Sequence, residues 1–276
     1  MKNSFSFMSS LFLILSLLIS VVAGVKAADD DFILKPKKWV ADFSLEPRVV
    51  TGMMYHHYEE NYHGSGNVKW NDHMPFLGTG VTLGYNNFFF DIYAQQSATG
   101  KDNQFDAGNT TKDHNTNIIR KDYAINFGYR IANFSFFAGY KVGKTDINGT
   151  RRYVGTSGIR YDNEETQFET KGPLIGYAYG LPVGESSSLG IKVAYGWLDS
   201  DYSSNQIEIA TASTSFIWAN INWSGPLTKN LTYSLSLDGQ KYKMGAASTE
   251  NPAISVDSIT ESIVSFKALL SYTFDF

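Results

Sequence analysis

The chain has 276 residues, no cysteine and a formal net charge of −4. The lack of cysteine excludes disulfides, thiolate metal sites and cysteine nucleophiles, and the lack of a basic block argues against nucleic acid as a partner. Aromatic residues make up 15% of the chain, with 17 Tyr and 19 Phe, yet beyond the N-terminus no apolar run is long enough for a membrane-spanning helix.

The N-terminus has the three parts of a secretory signal peptide. Lys2 carries positive charge, an almost wholly apolar run extends from Leu11 to Val22, and Val25-Lys26-Ala27 forms a plausible cleavage site. We therefore expect residues 1–27 to be a signal peptide, with 28–276 as the exported protein. The alternative is a retained N-terminal anchor, but the apolar run of about a dozen residues is short for a bilayer.

After the N-terminus, ten segments alternate apolar and polar residues with the period of two that is typical of β-strands. The first runs from Trp39 to Met53. The others lie within residues 75–85, 88–95, 119–131, 134–142, 174–179, 189–197, 207–223, 231–237 and 264–276. In the eighth segment, Phe216 and Trp218 compete with Ile217 and Ile221 for one face, and a β-bulge would reconcile them.

Short and long connections alternate between these segments. Asn86-Asn87 and Ala132-Asn133 predict tight hairpins, and residues 182–186 and 224–230 are also compact. The longer polar connections are 58–73, 97–117, 145–166, 199–205 and 244–257. Short periplasmic turns with long external loops are typical of outer-membrane barrels.

Two of the predicted loops contain candidate binding residues. The first holds imidazole and carboxylate groups that suit a divalent metal, although their spacing matches no tight metal-site signature: His56, Glu59, His63 and His73. The third combines arginine with tyrosine, as recognition surfaces for phosphates or glycans do: Arg151, Arg152, Tyr153, Arg160 and Tyr161. An ordinary solvated loop is the alternative for both.

The C-terminal strand carries the most specific signal. From Val264 to Phe276 one face is apolar and ends in Tyr272, Phe274 and Phe276, whereas the other face is mostly polar. A terminal Phe after alternating aromatic residues resembles the assembly signal of Gram-negative outer-membrane proteins. The resemblance implies an all-β, closed antiparallel up-and-down transmembrane β-barrel of about ten strands, with eight as the alternative. It also implies export to the cell outer membrane and contact with outer-membrane lipids, lipopolysaccharide and the barrel-assembly machinery.

With the polar faces turned inward, the lumen receives a nearly balanced set of charges. The predicted lumen residues are Asp42, Glu46, Arg48, Asp91, Arg120, Asp122, Arg130, Lys141, Lys192, Asp238 and Lys267. Because ten strands enclose a narrow space, these charges favour a salt-bridged plug over a narrow, porin-like channel for ions or small solutes. Pairing of the first and last strands predicts that Glu46 approaches Lys267.

The sequence favours a structural or surface-recognition barrel without a cofactor. Some ten-stranded barrels are proteases with paired aspartates and an Asp–His pair, but Asp199, Asp201 and His56 resemble them only superficially. A lipid hydrolase with Ser–His chemistry is equally unsupported by any motif. We therefore predict no catalytic residues.

Overall fold

The computed structural model describes residues 43–62, 66–102, 116–155, 158–184, 186–204, 207–246 and 256–276. Twelve β-strands account for most of them. The strands are β1 (Phe43–Tyr62), β2 (Gly66–Tyr85), β3 (Phe88–Ser97), β4 (Gly100–Asp102), β5 (Thr116–Ile131), β6 (Phe134–Gly155), β7 (Gly158–Val183), β8 (Ser187–Ser204), β9 (Ile207–Pro226), β10 (Leu231–Met244), β11 (Val256–Tyr272) and β12 (Phe274–Asp275). In the described part of the chain no helix is long and apolar enough to cross a membrane.

The strands form one closed antiparallel barrel. Each pairs with its sequence neighbours, and β1 pairs with β11 to close the sheet. The short β4 pairs with β5 as a continuation of β3, and β12 pairs with β1 as a continuation of β11. The barrel therefore has ten strands, which confirms the predicted fold class and excludes the eight-strand alternative. Closure joins the first strand to the last, so neither is left as an edge strand in the bilayer.

Side chains alternate between the lumen and the exterior as the sequence predicts. On β5, Ile125 and Phe127 are 49% and 57% exposed, whereas Asp122 is 1% exposed. Ile217 faces outward and Phe216 inward on β9, and the pairing there is regular through residues 210–226. The expected bulge in that stretch is therefore wrong; the register shift between β8 and β9 falls at Tyr202/Ser203.

Exposed apolar side chains form a belt around the barrel, which we call the apolar band. Aromatic residues mark its two rims. The rim that holds Phe276 carries Tyr85, Phe88, Tyr129, Phe134 and Tyr272. The other rim carries Tyr55, Tyr123, Tyr140 and Trp197. Such a belt with aromatic girdles matches the hydrocarbon thickness and interfaces of a bilayer. The rim near Phe276 is the periplasmic one, because both short hairpins lie there.

The strands continue well past the external rim of the apolar band. β1 and β2 extend to Tyr62 and Gly66, and β6 and β7 extend to Gly155 and Gly158. The predicted loops 58–73, 145–166 and 199–205 are therefore largely paired strand. Much of 97–117 and 244–257 lies outside the described residues. The error has a simple cause: outside the bilayer the outward face is polar, so these strands lack the apolar face used to recognise them.

The two predicted tight hairpins are confirmed. Tyr85 pairs with Phe88 across Asn86-Asn87, and Ile131 pairs with Phe134 across Ala132-Asn133. Asn86 and Ala132 have φ angles of 54° and 50°. These left-handed conformations let a two-residue turn follow the right-handed twist of its strands.

The predicted approach of Glu46 to Lys267 is wrong, although the first and last strands do pair. Leu45 lies opposite Phe274, whereas Lys267 lies opposite Gly52, further along β1 from Glu46. The prediction counted from Trp39 as the periplasmic end of the first strand, whereas the described pairing with the last residues places Ser44 opposite Asp275. Residues 1–42 lie outside the described part, so the signal peptide and Asp42 remain sequence predictions.

Candidate functional site

The barrel interior is filled by three layers of side chains, and these layers decide what the lumen can do. The lower layer lies toward the periplasmic rim and contains Glu46, Arg48, Asp91, Arg130 and Lys192. The central ion network contains His56, Arg120, Asp122, Lys141 and Glu261. The outer apolar layer contains Tyr58, Trp70, Phe168, Tyr202, Met244 and Ile259.

The lower layer is the most open of the three. Arg48 Nη1 lies 2.6 Å from Asp91 Oδ1 and donates a 2.7 Å hydrogen bond to Thr82. Gly80 lies opposite Arg48, and a Cβ there would come within 2.8 Å of the guanidinium, so glycine leaves room for the long side chain. The guanidinium of Arg130 stands 5.0 Å from the ring centroid of Phe89. Lys192 is exposed on the inward face of β8.

The central ion network is fully buried. The side chains of Arg120 and Glu261 are both 0% exposed, and Arg120 Nη1 lies 2.5 Å from Glu261 Oε2. Arg120 Nη2 also lies 2.8 Å from Asp122 Oδ1, which accepts a 3.0 Å hydrogen bond from Lys141. Low dielectric strengthens these attractions, and it makes any unpaired member costly.

His56 completes this network from β1. Its Nε2 lies 2.7 Å from Glu261 Oε1, and both side chains are buried. The Thr145 hydroxyl also donates to Glu261 Oε1. The carboxylate of Glu261 is therefore held by three partners from three different strands.

A second ion pair lies beside the central network. Lys267 Nζ is 3.3 Å from Asp238 Oδ2, and it stands 5.7 Å from the ring centroid of Tyr93. Trp218 donates a 2.6 Å hydrogen bond to Asp238 Oδ1. Lys267 is thus paired with its neighbour on β10 and not with Glu46.

Several contacts cross the full width of the lumen. In a ten-strand ring, β1 lies diametrically opposite β7, β5 opposite β10, and β6 opposite β11. The ring centroids of Tyr58 on β1 and Phe168 on β7 are 5.8 Å apart, with an edge-on geometry. The hydroxyl oxygen of Tyr242 on β10 lies 3.4 Å from Asp122 Oδ1 on β5. The Thr145–Glu261 bond joins β6 to β11. Opposite walls therefore touch in both the central and the outer layer.

The four predicted metal ligands do not converge. His56 is buried in the lumen, whereas His73 is exposed on β2 and its ring centroid lies 4.9 Å from that of Tyr55. Glu59 lies 3.3 Å from Lys69, and His63 lies outside the described residues. The loop placement of His56 is thus wrong. Nowhere in the described ranges do three or more histidine or acidic side chains form a metal-binding group.

The predicted arginine–tyrosine loop is a strand hairpin in its backbone. Arg151 pairs with Asp162, Arg152 with Tyr161, and Tyr153 with Arg160, near the outer tip of β6 and β7. These residues therefore share the most projecting described part of that hairpin.

The aspartates considered for proteolysis lie away from His56. Asp199 and Asp201 are on the outward face of β8, where Asp201 accepts a 2.9 Å hydrogen bond from Lys171. The intervening Ser200 is the residue that faces inward. The barrel wall thus separates both carboxylates from the His56 imidazole.

The predicted assembly residues line the periplasmic rim. Tyr272 and Phe274 face outward with ring centroids 4.7 Å apart, and Phe276 is 72% exposed. The backbone N–H of Phe276 donates a 3.1 Å hydrogen bond to the Phe43 carbonyl, which ties the last residue to the first strand.

Sequence reasoning missed Glu261 and Tyr242 as lumen residues. The predicted ninth strand ends at Leu237, the predicted last strand begins at Val264 and the predicted loop is 244–257, so both residues lay outside any predicted element. The alternation continues through both, with Ser262 and Lys241 on the outward face. Following the period of two beyond the apolar band would have found them.

Comparisons with known proteins identify the fold. No protein-family model and no curated protein matches the chain. Among solved structures, it is similar to the outer membrane protease OmpT from Escherichia coli, with 13% identity, a TM-score of 0.62, and coverage of 85% of this chain and 98% of that one. Neisserial surface protein A matches over 84% of this chain and 97% of that one, with 10% identity and a TM-score of 0.37. The first likeness confirms the outer-membrane β-barrel fold that the C-terminal strand predicted.

Proposed function

We propose that this outer-membrane barrel does not conduct and works at the cell surface as a structural or recognition protein. The observation that carries the proposal is the contact between opposite walls. Tyr58 meets Phe168 in the outer layer, and Tyr242 meets Asp122 in the central one. A solute passing through would have to break both layers.

A narrow channel is the competing function. Ion pathways are usually lined along a stretch by one sign of charge with water beside it. In the central network, by contrast, Arg120 and Glu261 neutralise each other at 2.5 Å and are fully buried. Because these charges are paired with each other, they stabilise the interior and are not available to bind a passing ion.

A hydrolase is not part of the proposal. The His56 imidazole is buried against Glu261, where a substrate cannot reach it, and Asp199 and Asp201 face the outside of the wall. The likeness to OmpT at 13% identity concerns the fold.

The outer end of the barrel is the surface that a partner would meet. The β6–β7 hairpin runs on to Gly155 and Gly158, and its tip carries Arg151, Arg152 and Arg160. Arginine there suits phosphate or carboxylate groups on a glycan or lipid. This role requires no reactive or ligand-binding group inside the lumen, since the lumen side chains only have to hold the wall rigid.

Conductance across planar bilayers tests the proposal. The wild-type protein should insert without current steps, with insertion verified by heat-modifiable migration on gels. A variant that removes the named contact in each layer, Tyr58→Ala/Phe168→Ala/Tyr242→Ala, serves as the opened control and should conduct. Defined wild-type steps similar to those of the opened variant would contradict a sealed lumen.

A further inference from the structure

The outer wall just beyond the apolar band is not uniform in charge, and one side of it carries unpaired lysines. Lys241 and Lys243 lie on the outward face of β10, because the intervening Tyr242 is buried in the lumen. Within the described ranges, neither ammonium group has a carboxylate at ion-pair distance. Residues two apart on a strand are about 7 Å apart, so both side chains can reach one anionic group.

Hydroxyl groups surround the two lysines. Lys241 lies opposite Ser262 on β11, and Lys243 lies opposite Thr260 on β11 and Ser215 on β9. These hydroxyl groups can donate hydrogen bonds to an oxyanion without neutralising the lysines. We call Lys241, Lys243, Ser215, Thr260 and Ser262 the lysine face.

The lysine face begins where the wall stops being apolar. Lys241 has Ile217 as its other cross-strand neighbour, and Ile217 is 45% exposed on the outside. Below it on the same wall, Leu237 and Phe266 are also exposed. A side chain at this height meets lipid headgroups, with the acyl chains against the residues beneath.

The opposite wall has lysines at a similar height but neutralises them. Lys121 and Lys144 are directly opposite each other on β5 and β6, and Asp146 lies 3.3 Å from one and 3.4 Å from the other. Between the two walls, Lys171 on β7 lies 2.9 Å from Asp201 on β8, and the hydrogen bond and charge of Asp201 raise the pKa of Lys171. Lys101 on β4 is exposed and also lacks a carboxylate at ion-pair distance among the described residues, but it is a single lysine. Lys241 and Lys243, by contrast, place two uncompensated charges side by side on one strand.

We propose that the lysine face binds the phosphate groups of an anionic glycolipid in the outer leaflet. The lipid would lay its acyl chains against Ile217, Leu237 and Phe266 and place a phosphate between Lys241 and Lys243. Each lysine near an anionic membrane surface contributes about a fivefold gain in affinity. The two together give roughly a 25-fold preference for the phosphorylated lipid over the same lipid without phosphate.

The test uses the whole purified barrel in a non-ionic detergent. Native mass spectrometry measures binding of a bisphosphorylated glycolipid, of the same glycolipid without phosphate, and of inorganic phosphate as a competitor. Lys241→Ser/Lys243→Ser should weaken binding of the phosphorylated lipid about 25-fold. Lys241→Arg/Lys243→Arg should retain it, and the matched control Lys121→Ser/Lys144→Ser should change it less than about twofold.

Each other outcome overturns the proposal. Equal losses in both serine variants mean non-specific attraction, and equal binding of the dephosphorylated lipid means that only the apolar wall is recognised. Full competition by millimolar inorganic phosphate means a free-anion site and not a lipid site. If the double serine variant loses its heat-modifiable folded form, the single variant Lys241→Gln replaces it, with an expected loss of about fivefold.

Discussion

Replacing Arg120 by Met should test the central ion network most directly. Arg120 is completely buried and lies between two carboxylates, at 2.5 Å from Glu261 and 2.8 Å from Asp122. Methionine fills part of the volume but supplies no charge. His56 and Lys141 remain as partners for these carboxylates, so the loss is large but not total.

The expected cost follows from leaving buried charge unpaired. Breaking a buried ion pair by removing one partner destabilises a protein by roughly 3–5 kcal/mol. The double variant Arg120→Met/Glu261→Gln removes one charge of each sign, so its cost should fall below the sum of the single costs by about 1–3 kcal/mol. The Thr145 hydroxyl can still bond to the new amide.

The measurement is equilibrium unfolding in guanidinium chloride from lipid vesicles, followed by tryptophan fluorescence. Lys171→Met is the matched control, because Lys171 pairs with Asp201 on the exposed wall and such pairs contribute about 1 kcal/mol or less. If Arg120→Met costs no more than Lys171→Met, the buried network does not stabilise the barrel and the reasoning fails.

Three further predictions concern the membrane, the last strand and export. Ile125→Arg should destabilise the folded barrel by about 2–4 kcal/mol because the side chain faces hydrocarbon, whereas Lys144→Arg should be nearly neutral; equal unfolding midpoints would mean inverted facing. Deleting Phe276 should slow assembly, read as loss of the heat-modifiable band in pulse-chase samples, and Lys243→Ser should not; an unchanged rate would contradict the assembly signal. N-terminal sequencing of the membrane-fraction protein should begin at Ala28, and recovery of Met1 would show a retained anchor.

The facing of the membrane strands could be predicted from the sequence because one simple rule applies there. Hydrocarbon outside and polar groups inside make the alternation strong, so Ile125 and Asp122 were assigned to the correct faces. Partners across the lumen could not be predicted in the same way. Glu261 meets Arg120 because ten strands close at a particular shear, and no local pattern encodes which side chains then share a height.

The strand lengths were underestimated because the rule reverses at the outer rim of the apolar band. On β6, Phe136 and Tyr140 face outward below the rim, but Lys144 and Asp146 take the same face above it. The inward face changes the other way, from Lys141 to Ile147. Outside the bilayer the outward face contacts water, so polar side chains lie outside and apolar side chains are buried inside, as in a soluble barrel.

This reversal explains why two different layers of side chains block the lumen, one of paired charges and one of apolar rings. At the outer rim of the apolar band, polar walls face each other, and paired charges such as Arg120 and Glu261 fill the space between them. Above the rim, water lies outside, so apolar rings such as Tyr58 and Phe168 gain from meeting at the axis. The wall is therefore supported from within at both heights, and its outer face is free to carry charges chosen for binding. The outward face of β10 carries the unpaired lysines of the lysine face, whereas the lysines on β5 and β6 are neutralised by Asp146.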